Sequence, residues 1–282
     1  MEIAGIKIRI HTSFLVVMVI VLLAGGLQSA AALVVLFAFV VLHELSHSLV
    51  ARAHGVHVQD ITLLPIGGVA RLSQMPEAPR AEFLIAVAGP ALNFVIAALA
   101  FGVQAMVGTA LGHGVAALID LIIFINLALG TFNLLPAFPM DGGRLLRAYL
   151  ATRLDYVGAT RVAARVGRWI AAAMAIFGVL ALFVSAEQRG PFWSPWLLVL
   201  AAFIYVSGKA EELSVIARHA QRGLWRLFEY GMPGGPAPAE PDPPRAAPDV
   251  IDVEGTVRPD PRRAAADAFR QLADGAANRP DR

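Results

Sequence analysis

Residues 40–55 read VVLHELSHSLVARAHG, and three of them could do chemistry that the rest of the stretch could not. His43 and His47 are four positions apart, so on a helix their imidazoles share one face and can reach one tetrahedral metal ion. Glu44 adjoins the first of them, where a carboxylate can take a proton from a water that the metal polarises. The setting is apolar, and an ionisable group near mid-bilayer costs a few kcal/mol or more, so such groups usually mark function. An HExxH pattern arises by chance in roughly one chain in a hundred of this length, which makes it suggestive rather than decisive. A buried polar network that ties helices together is the competing reading.

A metal site of this kind needs a third protein ligand. His54 lies seven residues beyond His47, about 10 Å along a helix axis, and is too far for the same ion. The extended pattern HExxHxxGxxH fails as well, since Val50 and Ala53 stand where Gly and His are required. His54 and His57 read as interfacial residues. Among the acids, Asp120 comes early in the fourth apolar run, and Glu77 and Glu82 lie in or at the edge of a connector. Asp60 follows the second run so closely that it would have to fold back. Asp141, in NLLPAFPMDGG, follows the end of the fourth run that lies nearer to His43. Pro136 and Pro139 cannot continue a regular helix, and Gly142 and Gly143 permit a tight backbone that turns a carboxylate back into the protein. Irregular backbone at membrane depth is tolerated where it lines a polar site. Asp141 is the expected third ligand, with a solvated N-cap of the following helix as the alternative.

The elements that must position these residues are membrane helices. Of the 282 residues 57% are hydrophobic and only 16% charged, against about 25% in soluble domains. Apolar runs of spanning length occur near 12–28, 30–52, 82–106, 114–136, 166–185 and 193–208. Of the 23 Lys and Arg residues a single one, Arg189, falls in the three even-numbered connections between these runs. The positive-inside rule then gives six spans with both termini cytoplasmic. Alternation in Ile6–Ile10 predicts a short N-terminal strand, and residues 56–76 predict a small sheet lying against the membrane between helices two and three. The expected fold class is therefore an α-helical polytopic membrane protein. Its domains are a six-span core at 1–230 and a Pro-rich, disordered cytoplasmic tail at 231–282. There are no cysteines, so thiolate metal sites and disulfides are excluded. A net charge of +2 gives no nucleic-acid surface, and the N-terminus does not read as a signal peptide.

HELSH in an early run, paired with FNLLPAFPMDGGR about ninety residues later, resembles the site-2 protease family of intramembrane zinc metalloproteases. TLLPIGGVARL and AGPALNF resemble family segments too, so the likeness covers roughly residues 5 to 210. It implies one zinc ion per chain, held by His43, His47 and Asp141, with Glu44 as general base. It also implies that Asn133, eight residues before Asp141, helps to orient or stabilise the reacting centre. The substrates implied are transmembrane proteins, cut within or near their membrane segments in regulated intramembrane proteolysis. Relatives that carry PDZ or CBS domains differ from this chain, which has room for neither as a folded unit.

A helical substrate must unwind before its carbonyls can be attacked. The segment Ile61 to Leu72 could hold it by β-addition, with Gly67 and Gly68 permitting close backbone approach. Asn93 and Asn126, inside the third and fourth runs, read first as an interhelical hydrogen bond. The family likeness offers Asn93 a second role, as support for the active site. Two alternatives to proteolysis are a zinc transporter and a catalytically inactive relative that holds membrane partners. Ligand candidates clustered at one depth disfavour the first, and an intact Glu44 disfavours the second. The remaining expectations are a prokaryotic cell membrane, contact with the lipid bilayer and a regulatory partner engaging the C-terminal tail.

Overall fold

The computed structural model describes residues 2–65, 67–72, 77–108, 112–183, 196–231, 250–251 and 257–258. It divides into two compact units, Met1–Gln221 and Arg222–Arg282. Arg189 and most of the Pro-rich segment lie outside the described residues. In the second unit the strands β5 (Val250–Ile251) and β6 (Val257–Arg258) pair antiparallel.

The first unit begins with β1 (Glu2–Ile3) and β2 (Ile6–Ile10), then α1 (Thr12–Ala53), β3 (Val58–Leu64) and β4 (Gly67–Leu72). The helices α2 (Pro79–Val107), α3 (His113–Asn133), α4 (Asp141–Leu150) and α5 (Tyr156–Leu180) follow, the last continued by a 3-10 turn at Ala181–Phe183. The helix α6 covers Trp196–Gly231. Among the described residues, four helices are long and apolar enough to cross a membrane: Thr12–Ala53, Pro79–Val107, His113–Asn133 and Tyr156–Phe183. Their outward surface is apolar, with Leu23, Leu27, Met106 and Phe124 all well exposed, as lipid contact requires.

The helix α1 is broken at Gly26, whose φ of 72° is a conformation that glycine adopts without a steric penalty. Phe14 and Phe37 meet edge to face, ring centroids 4.5 Å apart, although a continuous helix would hold them about 35 Å apart. The helix therefore folds back at the Gly25–Gly26 turn into two antiparallel limbs, and the second limb carries both histidines. Phe14, Phe37, Val40 and Leu63 form the core between the limbs and the sheet.

The two β-segments expected separately form one four-stranded sheet of order β1-β2-β3-β4. The strand β2 pairs in parallel with β3, Lys7 opposite Asp60 and Ile10 opposite Leu63, so the whole of α1 is the crossover between them. A parallel pair needs such a long crossover, and α1 supplies it. The inward residues Ile6, Val58 and Ile61 pack on Leu45, Ala51 and Ile85, which seats the sheet against the histidine limb and the start of α2. The strand β4 lies at the sheet edge.

Small residues at four-residue spacing on α5, Ala159, Ala163, Gly167 and Ala171, give it a face that other backbone can approach closely. That face receives the irregular segment between α3 and α4: Phe138 packs on Ala163 and Ala164, and Ala137 lies in a cluster with Ala171.

Candidate active site

Three donors from two elements converge. Asp141 Oδ2 lies 3.1 Å from His43 Nε2 and 3.1 Å from His47 Nε2, and the two Nε2 atoms are themselves 3.1 Å apart. Among the described residues this is the one His/Asp/Glu group close enough to share a metal ion. All three side chains are buried.

The outer nitrogens decide what the inner ones can do. His47 Nδ1–H donates to the Ile85 carbonyl oxygen at 2.6 Å, and a carbonyl can only accept. His43 Nδ1–H donates to Asn93 Oδ1 at 2.5 Å. The Asn93 amide is oriented in turn, since its Nδ2 donates to Asn126 Oδ1 and Asn126 Nδ2 donates to the Ile122 carbonyl. Both imidazoles thus turn an Nε2 lone pair toward the Asp141 carboxylate, an arrangement that needs a cation at its centre.

Zinc fits this triangle. A tetrahedron with bonds of 2.0–2.1 Å has edges of about 3.3–3.4 Å, close to the 3.1 Å seen. The face is kept clear by Gly89 of α2. A Cβ there would lie 2.3 Å from His47 Nε2 and 2.7 Å from His43 Nε2, filling the volume an ion takes.

Asp141 reaches the histidines from the first turn of α4. The N-cap of that helix is Met140, so Asp141 is not a solvated cap. The glycines after it act through size: a Cβ on Gly142 would lie 2.2 Å from the Leu135 carbonyl oxygen, and one on Gly143 would lie 2.7 Å from the Ala137 carbonyl carbon. Neither has a positive φ, so the missing side chain matters here, not conformational freedom.

Glu44 is half-buried and has no hydrogen bond or ion pair among the described residues. From the sheet Gly68 comes close to it: a Cβ there would sit 2.6 Å from Glu44 Cγ. The strand β4 therefore passes directly against the carboxylate. Gly67 differs: its φ is 136° and nothing stands within 4 Å of a Cβ built there.

Asn133 ends α3 half-buried, with Nδ2 donating to the Leu129 carbonyl, and has no bond to the His–His–Asp group among the described residues. Asp60 pairs with Arg9 at 3.1 Å and stays out of the group, as does His54, which bonds the Val50 carbonyl at the end of α1. Asp120 accepts from Gln104 at 3.4 Å. Asn93 does both things weighed for it, joining Asn126 across helices and orienting His43. Gly89 and the Ile85 carbonyl were not foreseen. Gly89 stands four residues before Asn93, one turn away on the same face of α2; a main-chain acceptor leaves no signal of its own.

The profile of peptidase family M50 matches residues 31–112 and 103–177. A zinc metalloprotease of Methanocaldococcus jannaschii is 36% identical over 214 residues, covering 74% of this chain and 59% of that protein. Rip3 of Mycobacterium tuberculosis is 36% identical over 244 residues, covering 79% of this chain and 60% of Rip3. The chain thus spans about three fifths of the length of these relatives. The solved structure of the site-2 protease from Methanocaldococcus jannaschii superposes with a TM-score of 0.53 at 34% identity, over 75% of this chain and 93% of that one. The matched region contains both histidines, the aspartate and the adjoining glutamate, and the chain belongs to peptidase family M50.

Proposed function

We propose that this chain is an intramembrane zinc metallopeptidase of the site-2 type, cutting transmembrane proteins within or near their membrane segments. The observation that carries the proposal is the convergence of His43, His47 and Asp141 beside an unpaired Glu44 in an apolar helix. His43, His47 and Asp141 would hold the zinc. When bound, zinc supplies a Lewis acid for a peptide carbonyl and lowers the pKa of a water toward neutrality. Glu44 accepts a proton from the attacking water and delivers it to the departing amide nitrogen. Asn133 orients the scissile carbonyl, which requires its amide to leave the Leu129 carbonyl.

The edge strand β4 holds an unwound substrate by main-chain pairing, through Gly67 and Gly68. The contact of Gly68 with Glu44 supports this reading, because a chain paired along that edge would run past the catalytic carboxylate. Six spans are proposed, the two limbs of α1 being the first two, with both termini on the cytoplasmic side of a prokaryotic cell membrane, as the Lys and Arg distribution favours. Residues 1–230 are assigned to the protease core, and regulation to partners that engage the segment beyond it.

The test is metal content of the detergent-purified chain beside Asp141→Ala, followed by cleavage of a reporter transmembrane helix with Glu44→Gln. One zinc per chain, lost in Asp141→Ala, is the expected result. Zinc retained fully in Asp141→Ala would remove the aspartate from the site, and undiminished cleavage by Glu44→Gln would remove the mechanism.

A further inference from the structure

Outside the metal group, the described residues bury a second charged cluster around Arg147, which is 2% exposed and lies on α4 six residues beyond Asp141. Its Nε and Nη2 both donate to Glu82 Oε1, at 2.7 and 2.5 Å, and its Nη1 donates to Glu211 at 2.6 Å. The flat guanidinium lies between two rings, 5.0 Å from the centroid of Phe138 and 4.9 Å from that of Tyr156. Glu82 is fully buried in the first turn of α2, and its second oxygen has no hydrogen-bond partner among the described residues. One side chain thereby ties α4 to α2, α5, α6 and the Pro-containing segment that precedes Asp141.

We propose that Arg147 is a positioning residue for the metal ligand Asp141, fixing where α4 sits along α2. Two points on α2 bear on the position of α4. At Gly89 the helix faces His43 and His47, whose Nε2 atoms lie 3.1 Å from Asp141 Oδ2; at Glu82 it meets Arg147 directly. These points are about 10 Å apart along α2, and Asp141 and Arg147 are about 9 Å apart along α4, so the ion pair is in register with the metal group. The helix α4 has only ten residues, too short to hold its place through its own hydrogen bonds. The segment before Asp141 is irregular, so it cannot set the axial position by itself. Phe138, three residues before Asp141, stacks on Arg147, and any shift of the guanidinium is passed to the ligand from both sides. Burial works against the Arg147 charge, but Glu82, Tyr156 and Glu211 more than offset it and push its pKa up.

Lysine cannot replace this group, since a point ammonium cannot form the fork to Glu82, reach Glu211 and lie flat between two rings. The inference rests on the metallopeptidase reading above. Its test uses Arg147→Lys and Glu82→Gln in the full chain, with Arg168→Gln as control. Arg168 pairs with Glu212 at 2.8 Å, between α5 and α6, and makes no hydrogen bond or ion pair to α2 or α4 among the described residues. Zinc affinity is read by chelator competition and site geometry by the visible spectrum of the cobalt-loaded protein. Arg147→Lys and Glu82→Gln should each weaken zinc roughly 10–100-fold and shift the cobalt bands, while Arg168→Gln matches wild type. If Arg147→Lys does not fold, Glu82→Gln and Glu211→Gln decide, because each keeps the shape of its side chain. Folded variants with wild-type zinc affinity and an unchanged cobalt spectrum overturn the positioning role. A wild type that binds no zinc overturns the metallopeptidase reading and the inference with it.

Discussion

Gly89→Ala places one methyl group in the space that the two metal-site imidazoles border. Its carbon would lie 2.3 Å from His47 Nε2, 2.6 Å from His43 Cε1 and 2.7 Å from His43 Nε2. Ordinary contact begins near 3.4 Å, so the overlap on His47 is about 1.1 Å and on His43 Nε2 about 0.7 Å. Neither imidazole can step aside freely, because Ile85 holds one and Asn93 the other, both from α2 itself. If α2 retreats, it takes those two anchors with it. Metal–ligand distances tolerate about 0.2 Å, so a displacement near 1 Å is roughly five times the allowance. Overpacking alone costs about 1–3 kcal/mol, which a folded membrane helix bundle can absorb. Zinc affinity should therefore fall at least about 100-fold in a protein that still elutes as a single species. Gly102→Ala on the same helix is the control. Nothing lies within 4 Å of a Cβ there, and alanine should leave zinc binding unchanged and favour the helix by about 0.5–1 kcal/mol. Chelator competition on the three proteins decides it. Wild-type zinc affinity in Gly89→Ala would refute the claim that this face of α2 bounds the metal volume.

Glu44→Gln should keep zinc and lose at least about 100-fold in cleavage rate, measured on a reporter helix; lost zinc would instead make Glu44 a ligand. Asn93→Ala removes the acceptor of His43 Nδ1–H and should weaken zinc roughly 10–100-fold by chelator competition, with Asn93→Asp nearer wild type because it keeps an acceptor. Gly68→Val should abolish cleavage with zinc content unchanged, since its side chain meets Glu44 and no metal ligand; full activity would move β4 away from the reacting centre. Asn133→Ala should slow cleavage without lowering zinc content, and equal rates in the two proteins would leave that amide a helix-end hydrogen bond only.

Much of the site was legible because its constraints are local. The four-residue spacing of His43 and His47 needs only a helix, and the Pro and Gly around Asp141 declare an irregular approach. The turn at Gly25–Gly26 has a local cause of the same kind, a glycine pair interrupting an apolar run. What sequence did not show depends on partners distant along the chain. The sheet that joins Lys7 to Asp60 follows from α1 folding back, and no local pattern states that two strands about fifty residues apart will pair. Glu82 looked like a connector acid at the mouth of a span; only packing against Arg147 makes it a fully buried anchor. Asn93 could be seen as polar inside an apolar run, but its choice of His43 is set by how α2 crosses α1. The glycines carried a different ambiguity. Gly142 and Gly143 were read through backbone freedom, whereas their neighbours show that what counts is the absent carbon.

Because β2 pairs in parallel with β3, β2 cannot join its partner during synthesis until both limbs of α1 have been made. Lys7 and Asp60 are 53 residues apart, so at 5–20 residues per second the strand waits roughly 3–10 s. The limb bearing His43 and His47 must therefore be laid down before the sheet closes across its end. When Asp60 arrives opposite Lys7 and the Arg52 side chain reaches the Ala4 carbonyl, the N-terminus is fastened behind the histidine helix. The strand β2 acts as a latch that shuts only after the histidine limb is made, and its protection from a protease during synthesis would time the moment at which the metal-binding helix is secured.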